Sequence, residues 1–553
     1  MIKRIVWSLI VLLLFGGLGL VAIGGREGAM VLYVKYVLRK PSAPFREVTW
    51  QTGPASPQSG DKKRPNIIVI LADDLGFNDI TLYGGGIAAG SVPTPNIDAI
   101  ARDGVNFTQG YAGNATCAPS RAAIMTGRYA TRFGFEFTPV PVEFARLVGQ
   151  HRAPGNLHET IYHADRERDM PVYEDMGLPT SEVSIARLLK GAGYHTLHLG
   201  KWHLGDSPQY RSYAHGFDES LSLQHGASMF LPENDPNVVN SKQDFDMIDQ
   251  FLWASSPWGV RFNDGQVFEP RNYLTDYLTD EAVKAIAANR NRPFMMYLAY
   301  NAPHTPLQAT RADYDALSHI QDHTTRVYAA MIRSLDRNVG RVMKALKDQG
   351  IDDNTLVVFT SDNGGANYIG VPGLNLPYRG WKATFFDGGT HVPYFMRWPG
   401  TIPPNTRYES MVSHFDIFGT AAAAAGAQAP TDRIIDGVNL LPFILGQAAG
   451  KPHDRLFWRS GDYVVVRDGD WKLQVTQLPK QDWLYNMARD PGEKNNLAAS
   501  EPAKVAELRA LIDGFNKQQA KPLWPALIEG AFALDKTLKD PQSPNDAYIY
   551  WAN

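Results

Sequence analysis

The chain has a single cysteine, Cys117, and the residues around it are of types that can hold an anion. Cys117-Ala118-Pro119-Ser120-Arg121 runs on to Thr126-Gly127-Arg128. Pro119 suits the first turn of a helix, where its missing N–H is no loss, and Gly127 suits the residue that ends one. Cys117 is therefore expected at a helix N-terminus, where free N–H groups and the helix dipole favour negative charge. Arg121, one turn on, adds a fixed positive charge. One cysteine forms neither an intramolecular disulfide nor a cysteine-based zinc site. The remaining uses are a buried apolar side chain, an activated thiolate, or a precursor of something else. The acidic residues bear on that choice. Asp73-Asp74 and Asp362-Asn363 each close an apolar run. Carboxylates near the sulfur would raise its pKa and spoil a thiolate. Four oxygen-bearing side chains instead suit a hard cation, Ca2+ or Mg2+.

These residues act together only if the fold gathers them. Four apolar runs end in polar residues. Residues 67–72 lead to Asp73 and Asp74, and 195–199 to Gly200, Lys201, Trp202 and His203. Residues 294–300 lead to Asn301, Ala302, Pro303 and His304, and 356–360 to Ser361, Asp362 and Asn363. Apolar runs alternating with helical patterns predict an α/β fold with a large, mainly parallel sheet sandwiched by helices. Ligands of such sheets bind beyond the carboxyl ends of the strands. If the four runs are parallel neighbours, their polar ends share one rim. From about residue 454 the texture changes to short runs at 456–459, 463–467 and 471–474, with turn signals such as Asp468-Gly469. These predict a small antiparallel sheet, followed by an amphipathic helix over 502–515.

The cysteine string, C-x-P-S-R followed by T-G-R, resembles the signature of type I sulfatases in the alkaline phosphatase superfamily. The similarity extends over Gly200-Lys201-Trp202-His203-Leu204-Gly205, Ser361-Asp362-Asn363-Gly364-Gly365 and Asp470-Trp471-Lys472-Leu473. It continues through Leu484-Tyr485-Asn486, Asp490-Pro491 and Asn495-Asn496-Leu497. The resemblance implies an alkaline phosphatase-like fold and a Cys117 oxidised to formylglycine (3-oxoalanine) by a separate maturation enzyme. A hydrated aldehyde offers two hydroxyls on one carbon: one attacks sulfur, and the other loses its proton so that sulfate departs by C–O cleavage. It also implies that Asp73, Asp74, Asp362 and Asn363, with the modified Cys117, hold a divalent cation, Ca2+ ahead of Mg2+. Asp362 would assist deprotonation of the attacking hydroxyl. Arg121, Lys201 and Lys382 would bind sulfate. His203 would serve the aldehyde hydrate and its regeneration, and His304 the leaving oxygen. The family more often has Glu at the position of Asp387 and Arg at that of His391.

The other histidines are read blandly. His195, His198 and His215 are expected to be hydrogen-bonded core residues, and His391 and His414 receive no role. His151, His158 and His163 match no metal motif and read as solvated. They lie in an aperiodic insertion, 136–178, of the kind that forms lids. The N-glycosylation patterns at Asn106 and Asn114 read as accidental, since a glycan at Asn114 would block Cys117.

A 553-residue chain exceeds one small core, and its 44% hydrophobic and 20% charged residues are ordinary for a globular protein. A net charge of −3 gives no reason to expect nucleic acid. Lys3 and Arg4 precede an apolar run over 5–23, between a signal-peptide core and a membrane span in length. The expected organisation is an anchor or signal over 1–40, a linker over 41–65, a catalytic domain over 66–453 and a C-terminal subdomain over 454–553. Export to the periplasm is expected, with the chain held at the inner membrane, or secreted if the segment is cleaved. The expected substrate is a sulfated small molecule or glycan. Two alternatives stand beside it: a formylglycine-dependent phosphonate monoester or phosphodiester hydrolase, and a non-catalytic, membrane-tethered sulfoglycan-binding protein.

Overall fold

A computed structural model describes residues 25–57, 64–152 and 156–553. The apolar run 5–23 lies outside the described residues. Among the described residues no helix is long and apolar enough to cross a membrane.

The strands of the central sheet are β1 (Asn66–Ala72), β2 (Val105–Phe107), β3 (His195–Gly200), β4 (Glu219–Ser222), β5 (Val260–Phe262), β6 (Val267–Phe268), β7 (Phe294–Ala299), β8 (Thr355–Ser361), β9 (Tyr394–Arg397) and β10 (Thr406–Tyr408). Their order is β10-β2-β9-β8-β1-β7-β3-β4-β5-β6. The four runs singled out in the sequence are parallel neighbours at its centre, β8, β1, β7 and β3. Their ends are also in register. Ala72 pairs with Ser361, Leu71 with Ala299, and Ala299 with Gly200. Asp73, Asp362 and Lys201 thus leave the sheet side by side.

Every residue of β1 is buried. Ile67, Val69 and Leu71 pack in one layer with Ala118, Ala122, Ile185 and Ile417. Ile68, Ile70 and Ala72 pack in the other with Tyr277, Leu278, Val327 and Leu335. Successive strand residues point to opposite faces, so a strand covered on both faces needs an unbroken apolar run. The helices that matter below are α1 (Cys117–Thr126), α2 (Val142–Gln150), α3 (Met247–Ser255), α4 (Leu274–Asn289), α5 (His323–Asp348) and α6 (Pro502–Asn516). Of these, α1 belongs to the first layer and α4 and α5 to the second.

The C-terminal region carries the expected antiparallel sheet: β11 (Arg455–Ser460), β12 (Tyr463–Asp468), β13 (Trp471–Gln477) and β14 (Lys480–Asn486). Val505, Leu508 and Ile512 of α6 pack on Val464, Val466 and Leu473. A further sheet joins β15 (Ile528–Ala533) and β16 (Tyr548–Ala552) to the strand Ile161–Tyr162 of the insertion.

Two stretches differ from the sequence reading. Part of the segment read as a linker is packed: Trp50 is buried and its indole N–H donates to Glu281 at 2.9 Å. The insertion read as aperiodic contains α2, whose Ala145 packs on Leu527 and Ile528. Two of its histidines are half-buried and have partners. His163 lies 2.8 Å from Glu529, and His158 stacks on Tyr548 with ring centroids 3.5 Å apart. Both contacts come from residues more than 350 positions away, beyond the reach of local periodicity.

Candidate active site

Cys117 opens α1. Thr116 before it is extended, and Gly127 closes the helix in the left-handed region, φ 68°. The approach is set by Asn114, whose side-chain oxygen accepts from the Thr116 N–H and hydroxyl, both at 3.2 Å. Asn114 is buried, which agrees with reading its glycosylation pattern as accidental. His414, unassigned in the sequence, bridges Ser120 Oγ (3.0 Å) and Thr360 Oγ1 (3.1 Å) and so ties α1 to β8.

The Cys117 sulfur lies 3.5 Å from Asp73 and 3.7 Å from Asp74. Burial pushes the thiol well above its ordinary pKa, and Asp362 pushes it further. A thiolate nucleophile does not fit this setting.

Around the sulfur, three buried carboxylates face three buried cations. Arg121 grips Asp362 Oδ2 through Nε (3.0 Å) and Nη2 (2.8 Å), and its Nη1 donates to the Lys201 carbonyl at 2.9 Å. Lys201 pairs with Asp73 at 2.6 Å. Lys382 pairs with Asp74 at 2.7 Å and reaches Tyr368 at 3.0 Å. Burial pushes Asp73 up to about 7 against the pull of Lys201. Asp74 is equally buried, but Lys382 and His304 hold it below the usual carboxylate range.

Asn363 donates from Nδ2 to Asp74 at 2.8 Å, while its buried Oδ1 has no partner. Potential ligand atoms of Asp73, Asp74, Cys117 and His304 all lie within 4.8 Å of one another. An orphaned buried acceptor beside converging carboxylates fits a hard cation.

His304 lies 3.6 Å from Asp74, and burial together with Lys201 lowers its pKa to about 3. His203 has a buried Nδ1 without a partner, and burial, then Lys201 and Arg121, lower its pKa well below the usual value. Asp74 (φ 61°), His203 (φ 58°) and Ala383 (φ 63°) all adopt the left-handed backbone that side chains disfavour. Such strain persists where surrounding contacts enforce it and gathers at functional sites. Gly226 packs against the His203 ring so closely that a Cβ there would lie 2.4 Å from it.

The structure brings together every residue singled out for the site. It also adds three that the sequence did not mark. Tyr368 bonds both Asp74 (2.9 Å) and Lys382. Asp206 and His225, 2.8 Å apart, flank Gly226 and the His203 ring. Nothing in their spacing reveals them; only Tyr368 follows a marked motif, a few residues beyond Asn363. The other histidines are structural. His195 pairs with Glu219 (2.8 Å), His198 meets Ser212 (3.0 Å), and His391 pairs with Asp387 (3.2 Å). Neither ring nitrogen of His215 has a partner; its ring packs on Trp202.

A cavity of about 1400 Å3 opens onto Cys117, His203, His304 and Lys382. Its walls come from the insertion, α3, β15 and the N-terminal segment.

The fold and this charged centre define a hydrolase of anionic esters. The sulfatase family profile matches residues 65–427, and a profile described as N-sulphoglucosamine sulphohydrolase, C-terminal, matches residues 380–519. The chain belongs to the sulfatase family, and its reaction is the hydrolysis of sulfate esters. It is 33% identical to N-acetylgalactosamine-6-sulfatase of Homo sapiens over 503 residues, covering 85% of this chain and 88% of the relative. It is 30% identical to the uncharacterized sulfatase YdeN of Escherichia coli (strain K12) over 539 residues, covering 84% and 87%. The solved structure of Ps i-CgsB in complex with k-i-k-neocarrahexaose matches with a TM-score of 0.68 at 31% identity, over 83% of this chain and 94% of that one.

Proposed function

We propose that this sulfatase removes sulfate from a sulfated carbohydrate, using a formylglycine made from Cys117 and a calcium ion. The observation that carries the reading is the placement of Cys117: a buried, un-ionised thiol at a helix N-terminus, against Asp73 and Asp74. Its sulfur stands in for a hydroxyl of the hydrated aldehyde. Asp73, Asp74, Asp362 and Asn363 would hold the cation. The hydrate would supply a nucleophile that regenerates itself, and the cation would polarise a sulfate oxygen.

The chain's own residues do the rest. Lys201 and Lys382 draw the sulfate in and offset charge that grows on its oxygens. Arg121, locked on Asp362, keeps that carboxylate ionised and aimed. His304 delivers a proton to the leaving oxygen. Burial and Lys201 lower its pKa, so a proton it carries is readily given up to that oxygen. His203, fixed by Gly226, takes the proton that frees the product sulfate.

The carbohydrate reading is supported by the cavity, larger than the roughly 300–1,000 Å3 of a drug-sized pocket. It is also supported by the relative named as an N-acetylgalactosamine-6-sulfatase and the neighbour solved with k-i-k-neocarrahexaose. A formylglycine-generating enzyme is the required maturation partner. We read the N-terminal segment as holding the protein at the periplasmic face of the inner membrane. Exposed Leu32, Tyr33, Tyr36 and Val37, just after the apolar run, support that reading.

The test is mass spectrometry of the peptide spanning Cys117 from natively produced, active protein, with sulfate release measured on sulfated oligosaccharides. Conversion lightens the peptide by about 18 Da, whereas ordinary cysteine oxidation adds oxygen. An unmodified thiol in active protein refutes the mechanism. Faster turnover of aryl phosphonate than of any sulfate ester refutes the substrate.

A further inference from the structure

The cavity that opens onto Cys117 has a second cationic end. We propose that Arg39 and Lys40 of the N-terminal segment, with Arg261 of β5, bind a second anionic group of the substrate. That group is a sulfate ester or carboxylate on another sugar of the same oligosaccharide. The inference rests on the carbohydrate reading above.

The three side chains are brought to one edge of the molecule by backbone pairing. The Arg39 N–H donates to Val34 at 2.9 Å, closing the turn Val34–Leu38 that packs on α3. Ser42 Oγ then bonds the Trp258 carbonyl (3.0 Å), and the Ala43 N–H bonds Val267 (3.0 Å). Val267 is the cross-strand partner of Arg261. All three cations line the cavity that holds Cys117, His203 and Lys382.

Among the described residues none of the three has an ion-paired carboxylate, because the acids that act on the two arginines are held by other cations. Glu233, the acid whose charge acts on Arg39, is held by Lys35 at 3.1 Å and by Lys242. Asp264 is paired with Arg211 at 2.9 Å. Asp206 is paired with His225 and accepts from Tyr173, both at 2.8 Å. Arg261 is left with neutral acceptors: the Gly265 carbonyl at 3.0 Å and, in the amide orientation that satisfies both groups, the Gln224 side-chain oxygen. Among the described residues Arg39 has no side-chain acceptor. Lys40 is exposed and adds charge at the rim.

Two half-buried guanidinium groups with no ion-paired carboxylate among the described residues carry a desolvation cost that Glu233, Asp206 and Asp264 offset only from a distance. Burial also draws both below the usual arginine pKa. A substrate with one sulfate, seated at Cys117, leaves them as they are. A substrate with a second anion satisfies both ends of the cavity, and guanidinium groups bind sulfate and carboxylate alike through paired N–H donors.

The experiment compares kcat/KM for the matured enzyme on three oligosaccharides of equal length. One carries a single sulfate on neutral sugars, one a second sulfate, and one a uronate beside the single sulfate. The wild type should prefer the dianionic substrates, and the preference should weaken as salt rises. In Arg39→Gln and in Arg261→Gln the ratio of dianionic to singly sulfated kcat/KM should fall at least about tenfold, the scale of one charged hydrogen bond. Arg39→Lys should keep part of it. The two dianionic arms tell sulfate from carboxylate. Melting curves report whether each variant folds; if Arg261→Gln does not, Arg39→Gln in the half-exposed segment decides. A wild type without preference, or an unchanged ratio in Arg39→Gln, overturns the inference and leaves the carbohydrate reading standing. No sulfate release from any of the three overturns both.

Discussion

Cys117 is a poor thiol in a good place for another group. Its surroundings suppress ionisation, yet they hold three cations and three carboxylates within one buried centre. Those six charges cancel, so a divalent cation and a monoanionic sulfate ester leave the loaded centre positive by about one charge. That surplus can stabilise a transition state in which charge moves onto oxygen. Three predictions belong at this scale. Cys117→Ala should lower kcat by about 10^5-fold or more, the scale of losing a nucleophile, with little change in melting temperature. Asn363→Ala, which deletes the orphaned acceptor, should lower the bound calcium per chain measured by elemental analysis. Chelation of the wild type should abolish turnover, with recovery on adding calcium and less on adding magnesium; full activity after complete metal removal would refute the cation role.

At the scale of elements, the loop carrying Lys382 is fixed from the C-terminal sheet. Lys472 on β13 reaches Asp387 at 2.6 Å and Glu493 at 2.9 Å, all three buried. Glu493 accepts from the Asp387 N–H, and the Gly389 carbonyl accepts from Gly364 beside Asn363. Asp387 and His391, the two positions read from the sequence as departures, are paired with each other. Lys472→Met removes the lysine partner of buried Glu493 and leaves Asp387 with His391 alone at hydrogen-bond distance among its basic partners; it should cost about 3–5 kcal/mol, read as a lower denaturation midpoint. A second prediction concerns Asp246, which caps α3 by accepting from Ile248 (3.2 Å) and Asp249 (2.9 Å). Burial, with Asp249 nearby, pushes Asp246 up to about 7. A carboxyl whose folded pKa is raised favours the fold at low pH, and that contribution is lost as pH rises through about 7. Asp246→Asn keeps a capping oxygen without the charge. Its melting temperature relative to the wild type should therefore be higher at pH 8 than at pH 5, and an equal difference at both would refute the assignment.

At the scale of the whole molecule, the catalytic centre and the substrate cavity are built from different parts of the chain. The centre comes from the rim of the parallel sheet. The cavity walls come from the insertion, the N-terminal segment and the last strands, and the insertion is bound to the C-terminal region: Arg459 grips Glu136 at 2.7 Å, and Asn553 accepts from the Thr138 N–H at 2.7 Å. Deleting residues 548–553 removes β16 and Trp551 from the cavity wall. It should raise KM for oligosaccharides more than for a small aryl sulfate; an equal loss on both would mean that the strand serves stability alone.

The centre was legible because its residues stand at the ends of long apolar runs and within fixed local strings. A parallel strand buried on both faces has to be apolar throughout, so the polar residue that breaks the run marks the rim by itself. Cys117, the Asp73-Asp74 and Asp362-Asn363 pairs, and the α/β class follow from such local patterns. Three things did not. Tyr368, Asp206 and His225 sit in loops where no period operates. The insertion read as irregular because its helix and strand find their partners about a hundred residues or more away, at α3 and near the far end of the chain. The cation-lined end of the cavity depends on which carboxylates are already paired, and pairing is a property of distance in space. Sequence marked the residues that gather around Cys117. Tertiary structure decided what else the substrate would touch, because walls built from distant segments leave no spacing in the chain to read.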